Sequence, residues 1–122
     1  MSEKLNSIML VDDDLITNFL HSRLIKKLNI SSSIVVTENG EEALDYICQH
    51  DPPDVILLDL NMPVMNGFEF LKVFYKKYKN KVKTKVIVLS SSISRKDRSI
   101  ASSYGVPFLT KPLSADELLN AL

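Results

Sequence analysis

Four stretches of the chain end in side chains able to do chemistry: three carboxylates, a hydroxyl and an ammonium. Asp12-Asp13 follow the apolar run Ile8-Met9-Leu10-Val11, and Asp59 follows Val55-Ile56-Leu57-Leu58. Ser90 follows Val86-Ile87-Val88-Leu89, and Lys111 follows Val106-Pro107-Phe108-Leu109-Thr110. Each has an ordinary reading when taken alone: Asp12 and Asp13 as helix caps, Ser90 as a loop serine, Lys111 as a surface lysine. Asp59 resists such a reading, because a carboxylate after four buried apolar residues gains nothing from packing. Three carboxylates held close together repel unless something positive sits among them. Ligands that are all oxygen favour a hard cation, and few protein ligands with room for water favour Mg²⁺ over Ca²⁺. A carboxylate beside Mg²⁺ and a lysine is equipped to accept a phosphoryl group. Asp59 would be the nucleophile, with metal and Lys111 neutralising the transferring oxygens. Ser90 can donate a hydrogen bond to one of those oxygens, but without a nearby base it is a poor nucleophile. His21, mid-helix, and His50, near Pro52, read as structural or exposed.

These residues act together only if the fold gathers them. The unalternating apolar runs read as strands buried on both faces, in a parallel sheet covered by helices. Such strands deliver their last residues to one edge, where open α/β sheets place their ligands. Ile34–Thr37 supplies one more strand, and Pro107 assigns the last strand to a sheet edge because it cannot donate to a ladder. Between the strands lie helical patterns. Residues 15–28 carry Ile16, Phe19, Leu20, Leu24 and Leu28 at helical spacing behind an Asp14 cap. Asn39 and Glu42 have the form of a capping box, and Ala43, Leu44, Ile47 and Cys48 make the inner stripe of the helix they open. Gly67 leads into a helix with Phe68, Leu71, Phe74, Tyr75 and Tyr78. Ser94 caps another, carrying Ile100 and Ala101 and stopping at Gly105. The last opens with a Ser114/Glu117 box and a Leu113/Leu118 staple. Five strands alternating with five helices predict a parallel α/β domain with right-handed crossovers.

A chain of 122 residues reads as one domain, 1–122. Its formal net charge of zero implies no general affinity for polyanions, and no nucleic-acid partner is expected. The six lysines of 76–85 read first as a helix C-terminal cluster facing water, with the docking of a partner or a nucleic acid as the lesser alternative. No apolar run approaches the ~18–20 residues of a membrane span, and Met1-Ser2-Glu3-Lys4 lacks a signal-peptide core. Cys48, the single cysteine, excludes an intrachain disulfide and reads as a buried, inert thiol. A cytoplasmic protein with no membrane partner is expected.

The same residues resemble the receiver domain of two-component response regulators along nearly the whole chain. Val11-Asp12-Asp13 resembles that family's acidic pair, and Asp59-Leu60-Asn61-Met62-Pro63-Val64-Met65-Asn66-Gly67 resembles the segment around its phosphorylated aspartate. Ser90 takes the place of the switch Thr/Ser, Lys111-Pro112 that of the lysine with its cis-proline, and Phe108 that of the rotating aromatic. The resemblance implies a flavodoxin-like, doubly wound (βα)5 fold with strand order 2-1-3-4-5. It implies Mg²⁺ held by Asp13, Asp59 and the backbone carbonyl of Asn61, with Asp12 acting through water. It implies phosphorylation of Asp59 by a histidine kinase or phosphotransfer protein, and Lys111 and Ser90 stabilising the phosphoryl group. Ser90 and Phe108 would form a switch, with Asn61 and Ser92 tuning the lifetime of the acyl phosphate. The switch would act on an unidentified downstream protein through the helix 4–strand 5–helix 5 face, and a homodimer is compatible with it. The chain would catalyse only its own phosphorylation and dephosphorylation. Two departures stand out: Asn66-Gly67 replaces the commoner Asp-Gly, and a last helix from about Ser114 to Leu122 is short for the family, so it is expected either to be truncated or to complete its packing with a partner. No effector domain is expected to follow.

Rival chemistries are weaker. A haloacid-dehalogenase-type phosphatase needs an acid two residues after its nucleophile, and here that position is Asn61. A flavin or nucleotide binder needs a Gly- or Ser/Thr-rich loop after strand one, where this chain has Asp12-Asp13-Asp14. A degenerate receiver acting only as a scaffold does not fit a chain in which every reactive position is filled.

Overall fold

A computed structural model of the chain describes residues 4–62, 65–78, 81–91 and 95–122. Strands and helices alternate: β1 (Leu5–Val11), α1 (Leu15–Leu28), β2 (Ser31–Thr37), α2 (Gly40–Gln49), β3 (Val55–Asp59), α3 (Gly67–Tyr78), β4 (Lys85–Ser90), α4 (Arg95–Ser103), β5 (Phe108–Thr110) and α5 (Ala115–Ala121). All strand pairs are parallel, in the order β2-β1-β3-β4-β5. This is the expected flavodoxin-like topology.

Side-chain alternation along the central strands divides the core in two. Met9, Val11, Ile56, Leu58, Val86 and Val88 face one side, where α2, α3 and α4 cover them with Ala43, Ile47, Phe70, Phe74 and Ala101. Ile8, Leu10, Val55, Leu57, Ile87 and Leu89 face the other, under Ile25 of α1 and Leu118 of α5. Every residue of β3 is buried, which explains its unbroken apolar run.

Helix starts follow from local chemistry. The Asp14 carboxylate accepts from the Ile16 and Thr17 amides, as an N-cap should. At α2 the Asn39 side chain accepts from the Glu42 amide at 2.9 Å. At α5 the Ser114 hydroxyl does so from Glu117 at 3.2 Å. The reciprocal box belongs to α3: Asn66 Oδ1 accepts from the Glu69 amide at 2.9 Å, and Glu69 Oε1 accepts from the Asn66 amide at 3.2 Å. The Ser94 cap expected for α4 lies outside the described residues.

Three expectations are corrected. Cys48 is exposed, because the buried stripe of α2 is Gly40, Ala43 and Ile47, and Cys48 falls past its margin. β5 is shorter than 106–110 and begins after Pro107, although it does form a sheet edge. In α1 the buried positions are Asn18, His21 and Ile25, while Ile16, Phe19 and Leu20 of the apolar pattern are exposed.

Candidate functional site

Register decides which side chains meet. Val11 pairs with Leu58, so Asp12 and Asp59 emerge side by side from β1 and β3. Asp59 pairs with Leu89, placing Ser90 one residue further out on β4. Ser90 pairs with Thr110, and the Lys111 amide donates to the Ser90 carbonyl at 2.9 Å. The acids, the hydroxyl and the ammonium thus share the carboxyl edge of the sheet.

Lys111 reaches from β5 across to both acids. Its Nζ lies 2.7 Å from Asp12 Oδ2 and 3.3 Å from Asp59 Oδ1. The Asn61 amide donates to the same Asp59 Oδ1 at 3.4 Å. Asp12 is fixed from two directions: its Oδ1 accepts from the Asp14 amide at 2.9 Å, and its backbone carbonyl accepts from Asn18 Nδ2 at 2.8 Å. Asp12, Asp59 and Ser90 are buried, whereas Asp13 is exposed. One carboxylate oxygen from each of Asp12, Asp13 and Asp59 lies within 4.8 Å of the others.

The charges do not balance. Burial, and then the charge of Asp12, push the Asp59 carboxyl from its ordinary value near 3.8 up to about 6. Burial opposes the charge on Lys111, but the hydrogen bond to Asp12 and the charges of both acids raise its pKa on balance. The two directions agree physically, since one ammonium lies closer to Asp12 and cannot compensate three carboxylates. Three carboxylates and one ammonium leave two negative charges over, and every donor is oxygen. That donor set fits a hard divalent cation.

Gly67 lets the next helix begin against this site. A Cβ there would collide with the backbone oxygen of Asp59 and lie 2.7 Å from Leu60 Cα, so only glycine allows the approach. The Lys111–Pro112 peptide bond is cis. Phe108, level with Val88, is half-buried beneath the Arg98 guanidinium, 5.0 Å from its ring centre. Asn61 is exposed, and Ser92 lies outside the described residues.

Sequence reasoning missed two neighbours of the site. Asn18 is the buried clamp on Asp12, and its Oδ1 has no hydrogen-bond partner among the described residues. His21 is buried one helical turn later, and burial holds its imidazole below the usual range against the pull of Asp12. Both are polar residues buried on a helix whose first turns expose Leu15, Ile16, Phe19 and Leu20, the reverse of an ordinary amphipathic helix. That inversion was the available signal.

A parallel α/β sheet with an acid triad and a lysine at its carboxyl edge is the architecture of a receiver domain. The chain belongs to that family: the model described as the response regulator receiver domain matches residues 8–122. It is 28% identical to two-component response regulator 24 of Arabidopsis thaliana, over 100% of this chain and 85% of the relative. It is 33% identical to the cell cycle response regulator CtrA of Brucella ovis, over 92% of this chain but 46% of that protein. Among solved structures, a two-component response regulator from Cytophaga hutchinsonii superposes with a TM-score of 0.90 at 31% identity, covering 98% of this chain and 95% of the other. Receiver domains are phosphoacceptor switches of two-component signalling, and they generally bind Mg²⁺ at their acidic site. Among the described residues no helix is long and apolar enough to cross a membrane.

Proposed function

We propose that Asp59 takes a phosphoryl group from the phosphohistidine of a histidine kinase or phosphotransfer protein. The observation that carries this reading is the meeting of Asp12, Asp13 and Asp59 within 4.8 Å, with Lys111 against two of them. A carboxylate oxygen of Asp59 attacks phosphorus, the P–N bond to the donor imidazole breaks, and the imidazole leaves with its electron pair. Lys111 and the Asn61 amide hold the Asp59 carboxylate, and Lys111 offsets charge on the phosphoryl oxygens. Asp13, Asp59 and the Asn61 carbonyl would hold Mg²⁺, with Asp12 reaching it through water. When bound, the ion supplies further charge neutralisation at those oxygens.

The donor protein has a surface to use. Leu15, Ile16, Phe19 and Leu20 expose between 50% and 71% of their areas on the first turns of α1, directly after the acidic loop. Exposed apolar groups concentrated in this way mark interaction surfaces. Once formed, the acyl phosphate adds close to two negative charges, and Ser90 moves to meet them. Phe108 then turns inward, biasing two pre-existing states of the α4–β5–α5 face that a downstream protein reads. Asn61 and Ser92 tune how long the phosphoryl group survives.

The test is incubation with acetyl phosphate and Mg²⁺, followed by intact-protein mass spectrometry. One phosphoryl group should be gained by the wild-type chain and none by Asp59→Asn, and chelation of the metal should suppress labelling. Labelling of Asp59→Asn at the wild-type rate would defeat the assignment.

A further inference from the structure

The outer face of α3 carries a groove that the phosphoacceptor reading does not use. It has a volume of about 750 Å³ and extends from Met65, ahead of the helix, to Lys81, beyond its end. Glu69, Lys72, Val73, Lys76 and Lys77 line it in between. At 1.5 Å per residue the helix measures about 18 Å, the span of about five residues of extended peptide.

Charge is concentrated in the segment that carries this groove. Residues 69–85 include seven lysines and one acid, leaving eight basic and fourteen acidic residues in the rest of the chain. The zero net charge therefore conceals a surplus of six positive charges in this segment, four of whose lysines line the groove, and six negative ones elsewhere. The one acid, Glu69, is engaged in capping α3 through the Asn66 amide. Lys72, Lys76, Lys77 and Lys81 are exposed, and among the described residues none of them pairs with a carboxylate. Lys72 and Lys76, four positions apart on one helix, repel one another, and a counter-charge relieves that repulsion. The groove is not uniformly polar, because Met65 and Val73 are half-buried in its lining.

We propose that this groove docks an acidic segment of a partner protein, with carboxylates against the lysines and one apolar side chain against Val73 and Met65. Charge complementarity selects the acidic partner and steers its approach. The apolar lining selects a peptide over a nucleic acid, whose phosphates gain nothing from it. The described lining also has no arginine fork and no aromatic ring on which a base could stack. Docking here shares no residue with the Asp12–Asp59–Lys111 site, so it stands or falls separately from phosphorylation.

Fluorescence anisotropy on the full chain decides the matter with three labelled probes. These are a short glutamate-rich peptide with a central leucine, the same peptide with serine in its place, and a single-stranded oligothymidine of equal charge. The leucine peptide should bind tightest, and its affinity should fall as salt rises from about 50 to about 300 mM. Lys76→Glu/Lys77→Glu should weaken it by about tenfold or more, and Val73→Ser by about threefold. The milder Lys76→Gln/Lys77→Gln variant and unfolding midpoints separate lost binding from lost fold. Absence of peptide binding, equal affinity for the leucine and serine peptides, or tighter binding of the oligothymidine would each overturn the proposal. So would sedimentation showing a dimer that the charge reversal dissolves, since a second copy would then occupy the groove.

Discussion

At the scale of single residues, the site is defined by an imbalance. Lys111 makes its shorter contact with Asp12, at 2.7 Å, and a longer one with Asp59, at 3.3 Å. Asp59 is therefore the more weakly held carboxylate, and burial first, then the charge of Asp12, pushes it up to about 6. Two measurements follow with opposite emphasis. Between the unfolded value near 3.8 and the folded value near 6, the metal-free folded chain holds a proton that the unfolded chain has lost. Its stability should accordingly fall as pH rises through that interval and level off above it. At neutral pH, Asp59→Asn should raise the metal-free stability by as much as about 2 kcal/mol in urea unfolding, and a destabilised variant would contradict this. Binding of Mg²⁺ must displace the same proton. Calorimetric affinity for Mg²⁺ should then weaken by about tenfold per pH unit below about pH 6 and be nearly flat above pH 7.

At the scale of the elements, legibility tracked the kind of signal. The strands were readable because residues 55–58 of β3 and 86–89 of β4 are apolar and buried throughout, and the strand ends carry Asp59 and Ser90 to the sheet edge. The helices were readable as helices, but not always for the face they bury. In α1 the apolar spacing of Ile16, Phe19 and Leu20 marks a surface beside the site, while Asn18 and His21 point inward. Periodicity identifies the repeat, whereas tertiary context decides which side of it is covered. Cys48 was misplaced for the same reason. Lys111 meeting Asp12, ninety-nine positions away in the chain, follows from topology, which the resemblance and not the local pattern supplied. The departure at Asn66 also has an element-scale explanation, since it forms the only reciprocal capping box among the described helix starts. Asn66→Ala should cost about 1 kcal/mol and lower the thermal midpoint. Asn66→Asp should be nearly neutral, because asparagine and aspartate cap helices about equally well.

At the scale of the whole molecule, the sheet separates two tasks. One core lies between the sheet and α2, α3 and α4, the other beneath α1 and α5, and the central strands contribute alternate side chains to each. The acids, Ser90 and Lys111 all sit where strands end, so none of this chemistry depends on the connections that enter the strands from the opposite side. The entry loop ahead of β3, with Asp51 and Pro52 exposed, is one of these. A chain severed between those two residues keeps Asp12 and Asp13 on one fragment and Asp59, Ser90 and Lys111 on the other. Co-expressed, the halves should reassemble through the β1–β3 ladder and regain acetyl phosphate labelling that neither shows alone. The pair would serve as a split reporter, its signal present only while both pieces are joined.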